Sequence, residues 1–137
     1  MPSKPRAAKL AAASPARIEA LRADSIRAML DLEESIARIR DQLKTIEVSV
    51  RRARRLVETH HRSHEVAVKI GAAQKRATTS SMIQEVQSAR HRAHQAAFKL
   101  AVAEGCNMAD VARDWGVSRQ LVSRIVREPS PRRKRRA

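Results

Sequence analysis

Between Pro15 and Pro129 lie 113 residues without a single proline, and only Gly71, Gly105 and Gly116 interrupt them. Proline and glycine are the main punctuators of helices and turns, so so long an interval without them, rich in Ala, Arg, Glu and Leu, predicts an all-α chain. Aromatic content limits the thickness of that fold. Phe98 and Trp115 are the only aromatic residues and 24 residues are Ala, which gives too little bulk for a wide core. The expectation is a long N-terminal coiled-coil helix followed by a small C-terminal domain.

Charge narrows the partners. Against 14 acidic residues stand 29 Lys and Arg, for a net charge of +15 and a pI near 11.6. Such a balance attracts polyanions, chiefly nucleic acid or an anionic membrane. The excess is uneven: residues 16–50 are close to neutral, whereas residues 51–137 carry 20 basic and 7 acidic side chains. The longest apolar stretches, such as Leu10 to Ala13, are too short for a membrane span or a signal-peptide core. No helix is expected to combine a wide apolar face with a basic one, which argues against membrane binding. A single cysteine, Cys106, rules out an internal disulfide and a Cys-based zinc site, in keeping with a reducing cytoplasm.

Residues 1–13, rich in Pro, Ser, Lys and Ala, have nothing to bury and are expected to form a flexible basic tail. Ser14 as N-cap with Pro15 at the first helical position starts the long helix, assigned to residues 14–77. From Met29 the apolar residues step by three and four through Leu32, Ile36, Ile39, Leu43, Ile46, Val50, Ala53 and Val57. That is a heptad seam, and Leu32, Ile36, Ile39, Leu43, Ile46 and Val50 are its expected dimerisation residues. A helix with one narrow seam must bury it against a second copy or against a later helix; a homodimer is the favoured expectation. With Met29 at position a, the e positions Glu33, Arg40, Glu47 and Arg54 alternate in sign. An antiparallel pair would match Glu33 with Arg54 and Arg40 with Glu47 across the two-fold; otherwise these charges simply solvate the flank.

Two further features of the arm have both a functional and a plain reading. Arg51, Arg52, Arg54 and Arg55 either track a phosphate backbone or form a solvated helical face. His60 and His64, at i and i+4, have a spacing able to hold zinc, but without a thiol or carboxylate set a polar layer in the seam or a mild pH dependence is the better expectation. No metal or other cofactor is expected.

Gly71 weakens the helix, and Thr78-Thr79-Ser80-Ser81 breaks the pattern with four hydroxyl residues in succession, which marks the domain boundary. Ser81 with Gln84 reads as a capping box opening a helix over 82–104, ended by Gly105. From Asn107 to Arg127 the pattern is helix, tight turn, helix. Asn107 caps the first, with Val111, Ala112 and Trp115 as its buried stripe; Gly116 supplies a left-handed turn residue; Ser118 caps the second, whose Leu121, Val122 and Ile125 face inward; Pro129 stops it.

Residues Met108 to Arg127 resemble the helix-turn-helix family of bacterial and phage DNA-binding proteins, with small Ala112 at the helix crossing, Gly116 in the turn, Val117 after it, and Val122 and Ile125 on the inner face. The run Gly116-Val117-Ser118-Arg119-Gln120-Leu121-Val122-Ser123-Arg124 is also typical of resolvase, sigma-factor and repressor modules. The resemblance implies a DNA-binding domain over 78–128 whose helix 118–128 enters the major groove of double-stranded DNA. Arg119, Gln120, Ser123 and Arg124 would then contact bases, and Ser118 and Arg127 the backbone. Arg can bond guanine bidentately, Gln adenine, and Ser either bases or phosphate. Phe98 is expected to be core, as is Trp115, and Cys106 a loop or core thiol. In the tail 129–137, expected to be disordered, Arg132, Arg133, Lys134, Arg135 and Arg136 would add phosphate contacts and salt dependence with little sequence choice.

The sequence has no Gly-rich phosphate loop, no nucleophile with a base at a telling spacing and no acidic metal cluster, so no enzymatic activity and no small-molecule ligand are expected. The functional expectation is a cytoplasmic, nucleoid-associated, dimeric transcriptional regulator. The alternatives are a DNA-bridging architectural protein and a DNA-recognition accessory of phage packaging, replication or recombination.

Overall fold

A computed structural model describes residues Ala12 to Ser130, in which five helices follow one another: α1 Pro15–Glu58, α2 Ser63–Lys69, α3 Ala72–Ala103, α4 Met108–Trp115 and α5 Arg119–Arg127. No strand occurs among the described residues. The long helix α1 packs against α3. The chain divides into two compact units, one made of residues up to Ala28 together with Arg92 onward, the other of Met29–His91.

Helix α1 starts where the sequence predicts. The Ser14 hydroxyl accepts the Arg17 N–H at 3.3 Å and the Ser14 carbonyl accepts the Ile18 N–H at 3.0 Å, so Pro15 occupies a position that needs no donor. Its end is not where the sequence predicts. Rather than continuing to residue 77, α1 closes at Glu58 through a Schellman arrangement in which the His61 N–H bonds to the Leu56 carbonyl and the His60 N–H to the Val57 carbonyl, both at 3.0 Å. The left-handed position of this cap is filled by His60, at φ 64°, the one non-glycine residue with positive φ among those described. Thr59 completes the cap by donating its hydroxyl to the carbonyls of Arg55 and Leu56. Because His60 lies in the turn and His64 in α2, the pair shares no helical face. No group of three or more metal-ligating side chains forms among the described residues.

The hydroxyl run at 78–81 is not a boundary either. All four residues lie inside α3, and Ser81 and Gln84 open no helix there. The Thr79 hydroxyl donates to the Lys75 carbonyl at 2.7 Å, one turn earlier, so it is satisfied without breaking the helix. The break falls at Gly71, φ 64°, between the seven-residue helix α2, which buries Val66, and α3.

In the Met29–His91 unit the two long helices run antiparallel. Gln42 Nε2 donates to Thr79 Oγ1 at 3.3 Å, and Arg38 pairs with Glu85 at 3.4 Å. The covered positions of α1 here include Leu32, Ser35, Ile39, Gln42, Ile46, Ser49, Ala53 and Leu56, again a 3,4 repeat. This corrects the predicted seam by half. Leu32, Ile39 and Ile46 are partly buried, whereas Ile36, Leu43 and Val50 are exposed. On α3 the covered positions include the small or polar Ala72, Thr79 and Ala89, of which Thr79 meets Gln42. Buried Ser35 is satisfied by donating to the Leu32 carbonyl at 2.9 Å.

In the other unit Leu21 and Ser25 of α1 are buried, and the end of α3 is held by the Ala13 N–H on the Ala103 carbonyl at 2.8 Å and by Arg22 near Glu104 at 3.8 Å. Here too lies the main hydrophobic cluster, Phe98, Val111, Ala112, Val122 and Ile125, with Ala101, Met108, Val117, Leu121 and Val126 packed around it. No helix among the described residues is long and apolar enough to cross a membrane.

Candidate nucleic-acid interface

The segment from Asn107 to Glu128 forms two short helices joined by a tight turn, and each local junction is built by the residue the sequence nominates. The Asn107 side chain accepts the Asp110 N–H at 2.8 Å and so caps α4. Gly116 takes the left-handed conformation, φ 65° and ψ 34°, with the Val117 N–H on the Ala112 carbonyl at 2.9 Å and its own N–H on the Arg113 carbonyl at 3.2 Å. A side chain added at Gly116 would meet open space, so glycine is required there by backbone conformation alone. Two residues on, the Ser118 hydroxyl accepts the Leu121 N–H at 3.1 Å and opens α5.

One aromatic ring fixes the pair of helices. Phe98 of α3 is 1% exposed and Val122 of α5 is completely buried. Around Phe98, Trp115 meets it edge-on with centroids 5.3 Å apart and His94 stacks on it at 5.9 Å. Trp115 corrects the sequence reading: it touches both rings but remains 45% exposed, so it covers the rim of the core rather than filling it. Cys106 is an exposed loop thiol just after the Gly105 cap.

Burying Val122 and Ile125 determines what α5 shows outward. Ser118, Arg119, Gln120, Ser123, Arg124 and Arg127 line a single open concavity, so the four expected base-contacting residues and two of the backbone-contacting residues share one surface. Among the described residues no carboxylate pairs with Arg119, Arg124 or Arg127, in contrast to Arg113 of α4, which is held by Asp110. Ser118 has its acceptor capacity partly taken by the Leu121 N–H, which leaves its hydroxyl proton as the group to offer outward. The expected tail contacts Arg132, Arg133, Lys134, Arg135 and Arg136 lie outside the described residues.

Two positioning residues went unrecognised in the sequence. Lys99 Nζ donates to the Glu128 carbonyl at 2.8 Å and to Ser130 Oγ at 3.1 Å, and buried Gln95 donates to the same carbonyl at 3.2 Å. Glu128 is the C-cap of α5, in extended conformation. The end of α5 is therefore tied to α3 by a charged and a neutral donor. In the sequence these residues carry no signal, because a Gln and a Lys four apart on a helix look like any solvated face.

No protein family, curated protein or solved structure gives a significant match to this chain.

Proposed function

We propose that this protein is a non-enzymatic, sequence-specific double-stranded DNA-binding protein, working as a transcriptional regulator in the compartment that holds the chromosome. The observation that carries this reading is the surface of α5: three arginines that meet no acidic partner among the described residues, with a glutamine and two serines, on one face of a helix whose other face is locked into a core. Unpaired guanidinium groups on a rigid short helix are the chemistry needed for base edges in a major groove, Arg for guanine and Gln for adenine. The helix-turn-helix resemblance points the same way, and the overall charge of +15 supplies the long-range attraction to phosphate. Arg119, Gln120, Ser123 and Arg124 take the bases; Ser118 and Arg127 take the backbone.

The test is selection of bound duplexes from a random pool by the full-length protein, followed by affinity measurements at two salt concentrations. A site-specific regulator yields a defined motif whose preference over random duplex persists as salt rises, while total affinity falls. Arg119→Ala combined with Arg124→Ala should erase the motif and retain the salt-sensitive residual binding. Selection of the same motif by the double variant would overturn the assignment. Enrichment of no motif at all would favour a DNA-coating architectural protein, for which the exposed Arg51, Arg52, Arg54 and Arg55 of α1 offer a further basic surface.

A further inference from the structure

Folding back of α3 leaves one row of α1 uncovered. Met29, Ile36, Leu43, Val50 and Val57 recur every seven residues and are each between 44 and 59% exposed. At 100° per residue this row lies about 100° around α1 from the Ser35, Gln42 and Ser49 side that meets α3. A strict seven-residue apolar repeat on a solvent-facing stripe is the signature of a second helix packed alongside.

The flanking charges identify that second helix. Next to the row, four residues on from each of its first four members, stand Glu33, Arg40, Glu47 and Arg54. Glu33 makes no ion pair among the described residues and Arg40 reaches only its neighbour Asp41, at 4.0 Å, while Glu47 and Arg54 pair only within α1, with Arg51 and, at 3.8 Å, with Glu58. If two copies of α1 lie antiparallel with Leu43 opposite Leu43, then Ile36 faces Val50 and Met29 faces Val57. In that same register Glu33 comes beside Arg54 and Arg40 beside Glu47, twice each by symmetry. The apolar row and the charges, two independent patterns, thus centre on the same point of the helix to within one residue. A parallel pair has no such match, because its partners for these charges would be Ser35, Gln42 and Ser49, which are uncharged and already turned towards α3.

We infer that the exposed Met29–Val57 row of α1 is a self-association surface, on which a second copy of this chain packs antiparallel about Leu43 to make a four-helix assembly from two α1–α3 hairpins. The inference is independent of DNA binding.

The experiment uses the full chain with Cys106→Ser as background and sedimentation equilibrium as the first readout. A dimer is expected, and Leu43→Lys should make it a monomer with unchanged helix content. Arg54→Glu and Glu33→Arg should each weaken the dimer about tenfold, from two symmetry-related pairs lost at once, and their combination should restore it. For strand order, Leu43→Cys should form a disulfide-linked dimer on mild oxidation, whereas Met29→Cys and Val57→Cys chains should crosslink with each other when mixed and not alone. Same-site disulfides at both ends would overturn the antiparallel register. A parent chain that remains monomeric, or a Leu43→Lys chain that remains dimeric, would overturn the surface itself.

Discussion

Lys99 of α3 reaches across 2.8 Å to the main-chain carbonyl of Glu128 and, through it, sets where α5 ends. A helix C-terminus carries orphan carbonyls and a partial negative charge, so an ammonium group placed there both satisfies an acceptor and opposes the dipole. Replacing Lys99 with Met keeps the stem and removes the charge. The expected result is a loss of about 1 kcal/mol in stability, since the contact is only partly buried, together with weaker DNA affinity and unaltered base preference. Urea denaturation and binding titrations on two duplexes measure these separately. A changed base preference would show that Lys99 does more than hold the helix.

Arg124 sits in the outward concavity of α5 and has no acidic partner among the described residues. Arg124→Ala is expected to cost roughly 1 to 3 kcal/mol on the selected site and to relax discrimination at one base pair. Comparing affinities over all single-base variants of the site checks this. A uniform loss over every variant would assign Arg124 to phosphate.

Phe98→Ala removes the ring on which α4 and α5 rest. For a side chain only 1% exposed, the expected destabilisation is about 3 to 5 kcal/mol. Trp115, 5.3 Å away and the one tryptophan in the chain, reports the transition by its fluorescence. A shift in the denaturation midpoint equivalent to less than 1 kcal/mol (roughly a surface substitution) would mean that the core closes without the ring.

Two of the left-handed caps, Gly116 and His60, should respond to substitution in opposite directions. At Gly116 a side chain meets no atoms but must adopt φ 65°, so Gly116→Ala is expected to cost about 1 kcal/mol. At the exposed His60, φ 64°, the strain is already present, and His60→Gly is expected to gain on the order of 0.5 to 1 kcal/mol. Thermal unfolding of the two variants beside the parent tests both signs.

The contrast between these caps also explains what could be read from the sequence. The helix-turn-helix segment was legible because each of its junctions is local: Asn107, Gly116 and Ser118 act within four residues of themselves. The end of α1 was not, because its left-handed position holds a histidine, and nothing near it distinguishes a helix stop from a helix interior. Thr78 to Ser81 misled for the complementary reason. Hydroxyl residues are poor helix formers when their oxygens compete for the backbone, but in α3 Thr79 bonds back to Lys75 and its small side chain faces Gln42. The heptad of α1 was visible, yet which half of it stays inside the chain depends on α3, some 40 residues away, and on the size of the residues α3 brings. For the candidate interface, the outward face of α5 followed from its inward face; Gln95 and Lys99 did not, since their partner is a carbonyl about 30 residues distant.

Phe98 belongs to α3, yet it is the floor on which both short helices, α4 and α5, stand. The α5 face that the proposed function lays on a duplex therefore exists only while that ring stays enclosed. Warming the protein should therefore extinguish base selectivity and tertiary order along one and the same curve, with no interval in which a folded protein binds DNA indiscriminately.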